Sequence, residues 1–496
     1  LATFTVLNGT GIDSNNDFIG DGIKFGQLSQ IAAAGAVPIP IVTPTTASIL
    51  FLDAGLLSIT GSGMGFDLGT STLSGTAEGL TYSKFLPVFS ITGMNIPLAT
   101  LAGLANGGNE ETILGAIFAG TDQIYGSTKN DILKGYDGND TIRGGAGGDT
   151  IDGGNGSDFA NYQGSLAGVT VDLLNHITSG GDAQGDTLTG IENLYGSSNA
   201  DTLAGNDARN IIGGELGDDT IVGNGGDDAL SGEGGADSIN GGDGDDRVVG
   251  GAGADNLSGG IGNDSIDAGT ENDQVFGQAG SDVLYGGAGD DVLDGGDGND
   301  VLEGAAGADN LIGGNGIDTV SYAGSSAGVT VAPGGISTGG DATGDVMSGI
   351  EQVIGSGFAD GISGDANANT LWGMAGDDVL IGGIGADVLK GGAGNDKLAY
   401  VTIGDSTVAA AGRDTVLDFT TGDKIDLVAI DANSAGPGDA AFTFGTGAFT
   451  AAGQIRVLDF GGGRYGVYLE TTGNNIEDAL ITVYSDHVLT AADFVL

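Results

Sequence analysis

Cysteine is absent from this chain of 496 residues, histidine occurs twice and tryptophan once. Disulfides and thiolate metal sites are thereby excluded, and zinc loses its usual ligands. Basic residues are also scarce: 13 Lys plus Arg face 67 Asp plus Glu, a formal net charge of -54. A chain so acidic has no electrostatic route to nucleic acid or to an anionic membrane surface, and its natural counter-ion is a cation. With soft ligands missing, the hard, oxygen-seeking cations remain. Long apolar runs are missing too. The longest, near residues 31–42, is broken by Pro38 and Pro40, so no membrane span is expected. The chain opens on Leu1 without a basic segment and apolar run, which reads as processing or truncation.

What the chain does have is glycine, 102 residues of it, in a background that is 39% hydrophobic and only 16% charged. Carboxylates set among glycines suit metal sites better than a solvated acidic tail. Five of the seven prolines fall in the first hundred residues, where short apolar and Thr/Ser-rich runs alternate with Gly turns. This predicts a β-rich module over 1–120, with strands in ASILFLDAGLLSITGSGMGFDL and a short helix over 98–118.

From Asp122 a nine-residue period takes over. Asp131, Asp140, Asp149 and Asp158 keep it. It resumes at Asp201 and Asn210 and runs unbroken through Asp219, Asp228, Asp237, Asp246, Asp255, Asp264, Asp273, Asp282, Asp291, Asp300, Asp309 and Asp318. A third block holds Asp360, Asn369, Asp378, Asp387 and Asp396. Two residues after every Asp from 219 to 318 stands an aliphatic, Ile221 to Val320; at 39% hydrophobic content twelve such matches arise by chance roughly once in 10⁵ trials. Disordered acidic low complexity does not produce that phase. The two interruptions resemble each other: both contain AGVTV and a GIE segment, so a unit of repeat block plus spacer has been duplicated. Each spacer is expected to continue or cap the coil without binding the same ions.

The repeat reads G-G-x-G-x-D-x-U-x, with U a large aliphatic; GGAGADNLS, GGAGDDVLD, GGDGNDVLE and GGAGNDKLA are the best copies. Glycines permit positive φ and bring carbonyls together, Asp adds charge, and U enters a core on a short strand. Nine residues cannot enclose an interior, whereas eighteen make two strands and two turns. Asp219, Asp237 and Asp255 then stack on one edge and Asp228, Asp246 and Asp264 on the other. Carboxylates about 4.8 Å apart repel unless an ion lies between them, and Ca²⁺ accepts six to eight carboxylate and carbonyl oxygens. Glu271 stands where the fourth-position Gly belongs, which predicts an altered turn. The neutral Asn210 and Asn369 should bind more weakly and mark block edges.

The formula resembles the RTX (repeat-in-toxin) calcium-binding family over about 122–398. That resemblance implies an all-β fold of parallel β-roll blocks, with a β-rich N-terminal domain and a β-rich C-terminal cap. Its expected ligands are the Asp residues of the three blocks, with backbone carbonyls of the adjoining turns: Asp131 to Asp158, Asp219 to Asp318, and Asp378, Asp387 and Asp396. The organisation read from it is 1–120 N-terminal module, 121–161 block, 162–200 spacer, 201–320 block, 321–359 spacer, 360–399 block and 400–496 cap.

GRDTVLDFTTGDKIDLVAID, AGQIRVLDF and LTAADFVL resemble the C-terminal export region of serralysin-type RTX proteases, and Asp493, Phe494, Val495 and Leu496 resemble the signal read by type I ABC-transporter secretion. This implies an extracellular or cell-surface protein of a Gram-negative bacterium. The protease half is missing: there is no H-E-x-x-H, and His176 and His487 read as surface or loop residues. G-x-S-x-G occurs around Ser326 and Ser337 but without the strand-turn-helix of a nucleophile elbow, and no lysine is followed by Ser or Thr as a P-loop requires. Trp372 reads as packing at a coil edge. With no catalytic constellation, the expected function is a calcium-dependent S-layer or filament subunit that self-associates. The alternatives are an adhesin binding a cell-surface polysaccharide, and an enzyme whose catalytic module lies in 1–120.

Overall fold

The computed structural model describes residues 120–332, 334–433, 441–445 and 447–496, together with strands between 2 and 97. The helix expected over 98–118 lies outside the described residues. The all-β expectation holds: among the described residues the only helical segments are 3-10 turns of three residues, such as Gly181–Ala183. The repeats form a parallel β-solenoid. By internal packing the chain divides into two compact units, Leu1–Gly242 and Asp243–Leu496.

In the first unit one solenoid face is built from Asp122–Tyr125, Thr141–Arg143, Phe159–Asn161, Asn193–Tyr195, Ile211–Leu216 and Ala229–Gly234, each parallel to the next. The opposite face starts with Ile132–Asp137, Thr150–Asn155 and Thr187–Thr189, then stops. A fresh run begins at Thr170–Asp172 and continues through Thr202–Ala204 and Thr220–Gly225. The first spacer therefore continues the coil, as expected, by carrying one face straight through while the other ends and restarts. Strand Ala2–Leu7 extends the first face in parallel at Asp122–Tyr125 and pairs antiparallel with Val88–Pro97.

The second unit repeats this device. One face runs without a break from Arg247–Ala252 through Val301–Ala306, Thr319–Ser321 and Gln352–Ile354 to Thr415–Phe419. The other ends at Val346–Ser348 and restarts at Thr330–Val331. Both faces are closed by the C-terminal segment: Ala479–Ser485 adds to Thr415–Phe419, and Phe494–Val495 adds to Lys424–Asp426. Arg464–Glu470 joins Gln454–Asp459 and Ala479–Ser485 in antiparallel pairs.

Period-two alternation explains why these segments are strands. The U side chain points in: Ile221, Val248, Leu257, Leu284, Leu302 and Val320 are all 0% exposed. Its neighbours are more exposed, except beside Val320, where Thr319 and Ser321 are also buried. The glycines serve the turns. Glycines in the second repeat position hold positive φ, from 89° at Gly145 to 116° at Gly260, and several non-glycines there are forced into the same region, Glu215 at 80°, Gln278 at 76° and Ala305 at 66°. A left-handed conformation costs an L-residue roughly 1–2 kcal/mol. In the fourth position a side chain meets the coil below: a Cβ on Gly298 would collide with the carbonyl oxygen of Gly280. At Glu271 the sign is kept, with φ 75° against 147° at Gly280. The turn is altered as expected, the Gly253 N–H to Thr270 carbonyl bond lengthening to 3.3 Å while the Glu271 carboxylate accepts the same N–H at 3.0 Å.

Ala305→Gly should therefore raise the stability of the calcium-saturated protein by about 0.5–1 kcal/mol, whereas Gly298→Ala should lower it by about 2 kcal/mol or more. Urea denaturation in excess calcium measures both.

Candidate metal centre

The sixth-position carboxyl groups are buried in rows along the solenoid edges: Asp140, Asp158, Asp300, Asp318 and Asp387 are 0% exposed. Within a row the Oδ1 of each Asp accepts the backbone N–H of the acidic residue one coil earlier. Asp255 donates in this way to Asp273 at 2.8 Å, Asp273 to Asp291 at 2.9 Å, and Asp291 to Asp309 at 2.9 Å. On the opposite edge Asp246 donates to Asp264, Asp264 to Asp282, Asp282 to Asp300 and Asp300 to Asp318, at 2.8–2.9 Å. In the first unit Asp131 donates to Asp149, Asp140 to Asp158, Asn210 to Asp228 and Asp219 to Asp237, at 2.7–2.8 Å. In the third block Asp360 donates to Asp378, Asn369 to Asp387 and Asp378 to Asp396, at 2.8–3.0 Å. The Asp residues read from the sequence are thus brought into edge rows.

The second oxygen divides them into two kinds. Oδ2 of Asp140, Asp149, Asp158, Asp219, Asp264, Asp273, Asp282, Asp291, Asp300, Asp309, Asp318, Asp378, Asp387 and Asp396 is buried without a hydrogen-bond partner. In these turns the second-position residue has positive φ, as at Tyr136 (74°) before Asp140 and Met374 (75°) before Asp378. Asp131 differs. Its Oδ2 accepts the N–H of second-position Ser127 at 2.6 Å and its hydroxyl at 2.8 Å. Asp201 and Asp360, which open the later blocks, are closed by Ser197 and Ser356, whose N–H groups donate to Oδ2 and whose hydroxyls donate to Oδ1. Asn210 and Asn369 accept the second-position N–H of Asn206 and Asp365 at 2.7 and 2.8 Å. Their Nδ2 donates back to the spacers, at the carbonyls of Glu192 and Ile350, a bond no carboxylate could make.

The rows also enlist residues the periodicity did not single out. Asp149 donates across the first spacer to Asp186, and Asp309 across the second to Asp345. Glu192 and Glu351 take the N–H groups of Asp158 and Asp318. Beyond the third block Asp414 and Asp423 accept from Asp387 and Asp396. At the spacers a phenol replaces what a cation would supply: Tyr162 donates to Asp186 Oδ2 at 3.0 Å and Tyr322 to Asp345 Oδ2 at 2.8 Å. Asp423 Oδ2 is likewise closed by Thr420.

An unpartnered buried carboxylate oxygen costs on the order of 1–3 kcal/mol or more, and here it recurs coil after coil. The surroundings suit a hard cation. A Cβ on Gly277 would fall on Asp282 Oδ2 and the carbonyl oxygen of Gly295, so an acidic oxygen and a backbone oxygen converge at the space that the first-position glycine leaves open. Gly295 presents Asp300 Oδ2 and the carbonyl of Gly313 in the same way. Among the described residues no group of three or more acidic or histidine side chains gathers at one point. Backbone carbonyls therefore have to complete any shell, which favours calcium's mixed, irregular coordination.

Burial raises the pKa of these groups, opposed by the row hydrogen bond and reinforced by neighbouring carboxylates. Asp140, Asp149, Asp219, Asp264, Asp273, Asp309 and Asp378 are pushed up to about 7. Asp414 reaches about 8, again chiefly by burial.

The family model of the RTX calcium-binding nonapeptide repeat (four copies) matches residues 118–150, 125–160, 186–221, 222–257, 249–284, 258–293, 285–320 and 363–398. The repeat region is an RTX array. No curated protein matches the chain. RTX repeats are calcium-binding motifs of a typically secreted family, and an RTX solenoid is a structural rather than a catalytic architecture. No helix among the described residues is long and apolar enough to cross a membrane.

Other residues weighed for chemistry have structural surroundings. Lys390 Nζ lies 3.9 Å from the centre of the Trp372 ring. His176 stands in an exposed turn. His487 is held between Asp486 at 2.7 Å and Asp493 at 3.2 Å and stacks on Phe419. Ser326 is exposed, and Ser337 is buried with its N–H donated to the Asp345 carbonyl.

Two outcomes follow. Since the folded pKa values lie above the ordinary value of 3.8, protonation favours the fold. In a chelator, circular dichroism should show little β structure above pH 8 and a growing signal as the pH falls through 7 toward 4. Asp282→Asn should shift the calcium midpoint for folding upward two-fold or more, and Asp131→Asn should leave it unchanged, because Ser127 already satisfies that carboxylate.

Proposed function

We propose that this is a secreted calcium-binding RTX structural protein, folded by the ions it collects outside the cell and assembling with copies of itself into a surface layer or filament. The observation that carries the reading is the succession of buried, unpartnered Oδ2 atoms, with a backbone carbonyl converging on the same space at Asp140, Asp282, Asp291, Asp300 and Asp378. Ca²⁺ is the ion that fits, held by the Asp residues of the positive-φ turns and the carbonyls of their first-position glycines. Binding and folding are one event, since the unfolded chain has no such pocket. At ten to a hundred times its dissociation constant each independent site contributes about 1.4–2.7 kcal/mol, so a few sites decide the fold.

Two consequences of the charge support the rest. At -54 an ion-free chain stays extended, the state suited to a narrow type I exporter, and copies repel one another until calcium neutralises them. The C-terminal segment acts as both export signal and cap. Apolar side chains on the spacers offer contact points between copies: Leu166 is 96% exposed and Ile336 70%.

Circular dichroism, light scattering and negative-stain microscopy on the full chain, in chelator and in millimolar calcium, separate the steps. Calcium should produce β structure first and ordered assemblies at higher protein concentration. Equal β content in chelator would overturn the folding claim, and monomers persisting in saturating calcium would overturn assembly.

A further inference from the structure

Outside the repeats, Arg464–Glu470 and Ala479–Ser485 are joined by a loop with the text E-T-T-G-N-N-I-E-D over 470–478. Glu470 is 0% exposed. Its Oε1 accepts the N–H groups of Gly473 and Asn474 and the hydroxyl of Thr472, the last at 3.2 Å, so the carboxylate head lies inside the loop. Its Oε2 is buried and has no hydrogen-bond partner. Thr472 Oγ1 also lies 3.4 Å from Asp478 Oδ1, which brings the two carboxylates to either side of one hydroxyl. Asp478 Oδ2 is occupied by the N–H groups of Thr471 and Thr472, at 2.7 and 3.1 Å.

We propose that the loop 470–478 is a second kind of cation site, binding one calcium-like divalent ion independently of the repeat turns. In the twelve-residue helix-loop-helix calcium loop, oxygens come from positions one, three, five, seven and nine, position seven giving a backbone carbonyl, and position six takes the sharp turn usually left to glycine. Counted from Glu470, positions one, three, five and nine here are Glu470, Thr472, Asn474 and Asp478, each with a side-chain oxygen, and Ile476 stands seventh. The sixth, Asn475, has φ 63°. Residues 472–476 are exposed, so an ion can enter from solvent and reach the buried Oε2.

The loop departs from that pattern at its twelfth position, where Ile481 is buried in a strand and no bidentate Glu closes the shell. With two carboxylates, one hydroxyl and one amide oxygen the affinity belongs with weak extracellular sites, a dissociation constant on the order of 10⁻⁴–10⁻³ M. The ion would tie the hairpin whose second strand, Ala479–Ser485, closes a solenoid face.

Anomalous diffraction from crystals of the full chain in 10 mM calcium tests the site directly. A peak touching Glu470 Oε2 and Asp478 Oδ1 is expected, and its absence from crystals whose repeat turns carry ions would overturn the proposal. In solution, equilibrium dialysis should show Glu470→Gln and Asp478→Asn each binding one ion fewer than the native chain with unchanged circular dichroism; an unchanged count overturns it. Should Glu470→Gln fail to fold, Asp478→Asn and the native-chain map still decide. Ions in this loop but none in the repeats would sink the proposed function and leave this site standing.

Discussion

A carboxylate that is buried on one side, hydrogen-bonded through one oxygen and bare at the other sets the terms for the whole solenoid. Its Oδ1 stitches each coil to the one before, so the residue cannot be dispensed with, and its Oδ2 makes each stitch incomplete without a cation. Hydrophobic filling alone is thin here. Each coil contributes two aliphatic side chains, such as Leu284 and Leu293, to a narrow interior. The ordering of so many glycines opposes even that gain.

The same logic explains where the rows stop. Ser127, Ser197 and Ser356 supply N–H and hydroxyl donors at the first rung of a block, and Tyr162, Tyr322 and Thr420 supply them at the last. Between these ends the second-position residue flips to positive φ, and Oδ2 loses its protein donor. The sign of a single backbone angle thus separates turns that satisfy themselves from turns that wait for an ion.

Much of this was legible beforehand because the period is a direct image of the coil. The nine-residue Asp phase, the aliphatic two residues on and the duplicated spacers were readable, and they place the rows and the core. Asp414 and Asp423 were also readable, lying eighteen and twenty-seven residues beyond Asp396 and followed two residues later by Val416 and Ile425, but only by carrying the phase past the glycines. Asp186 and Asp345 keep the same aliphatic signal, at Leu188 and Met347, after a break in spacing that hides them. The distinction between Asp131 and Asp140 was beyond reach. It depends on the φ of Ser127 and Tyr136, and a tyrosine in a left-handed turn is not what its residue type suggests.

Each spacer lets one strand ladder pass undisturbed while its counterpart is replaced. A block with its spacer is consequently a cassette: gaining or losing one leaves the through-running ladder in register, and the incoming half brings its own donors for both end rungs. A change in length by whole cassettes is therefore the change that leaves strand pairing intact.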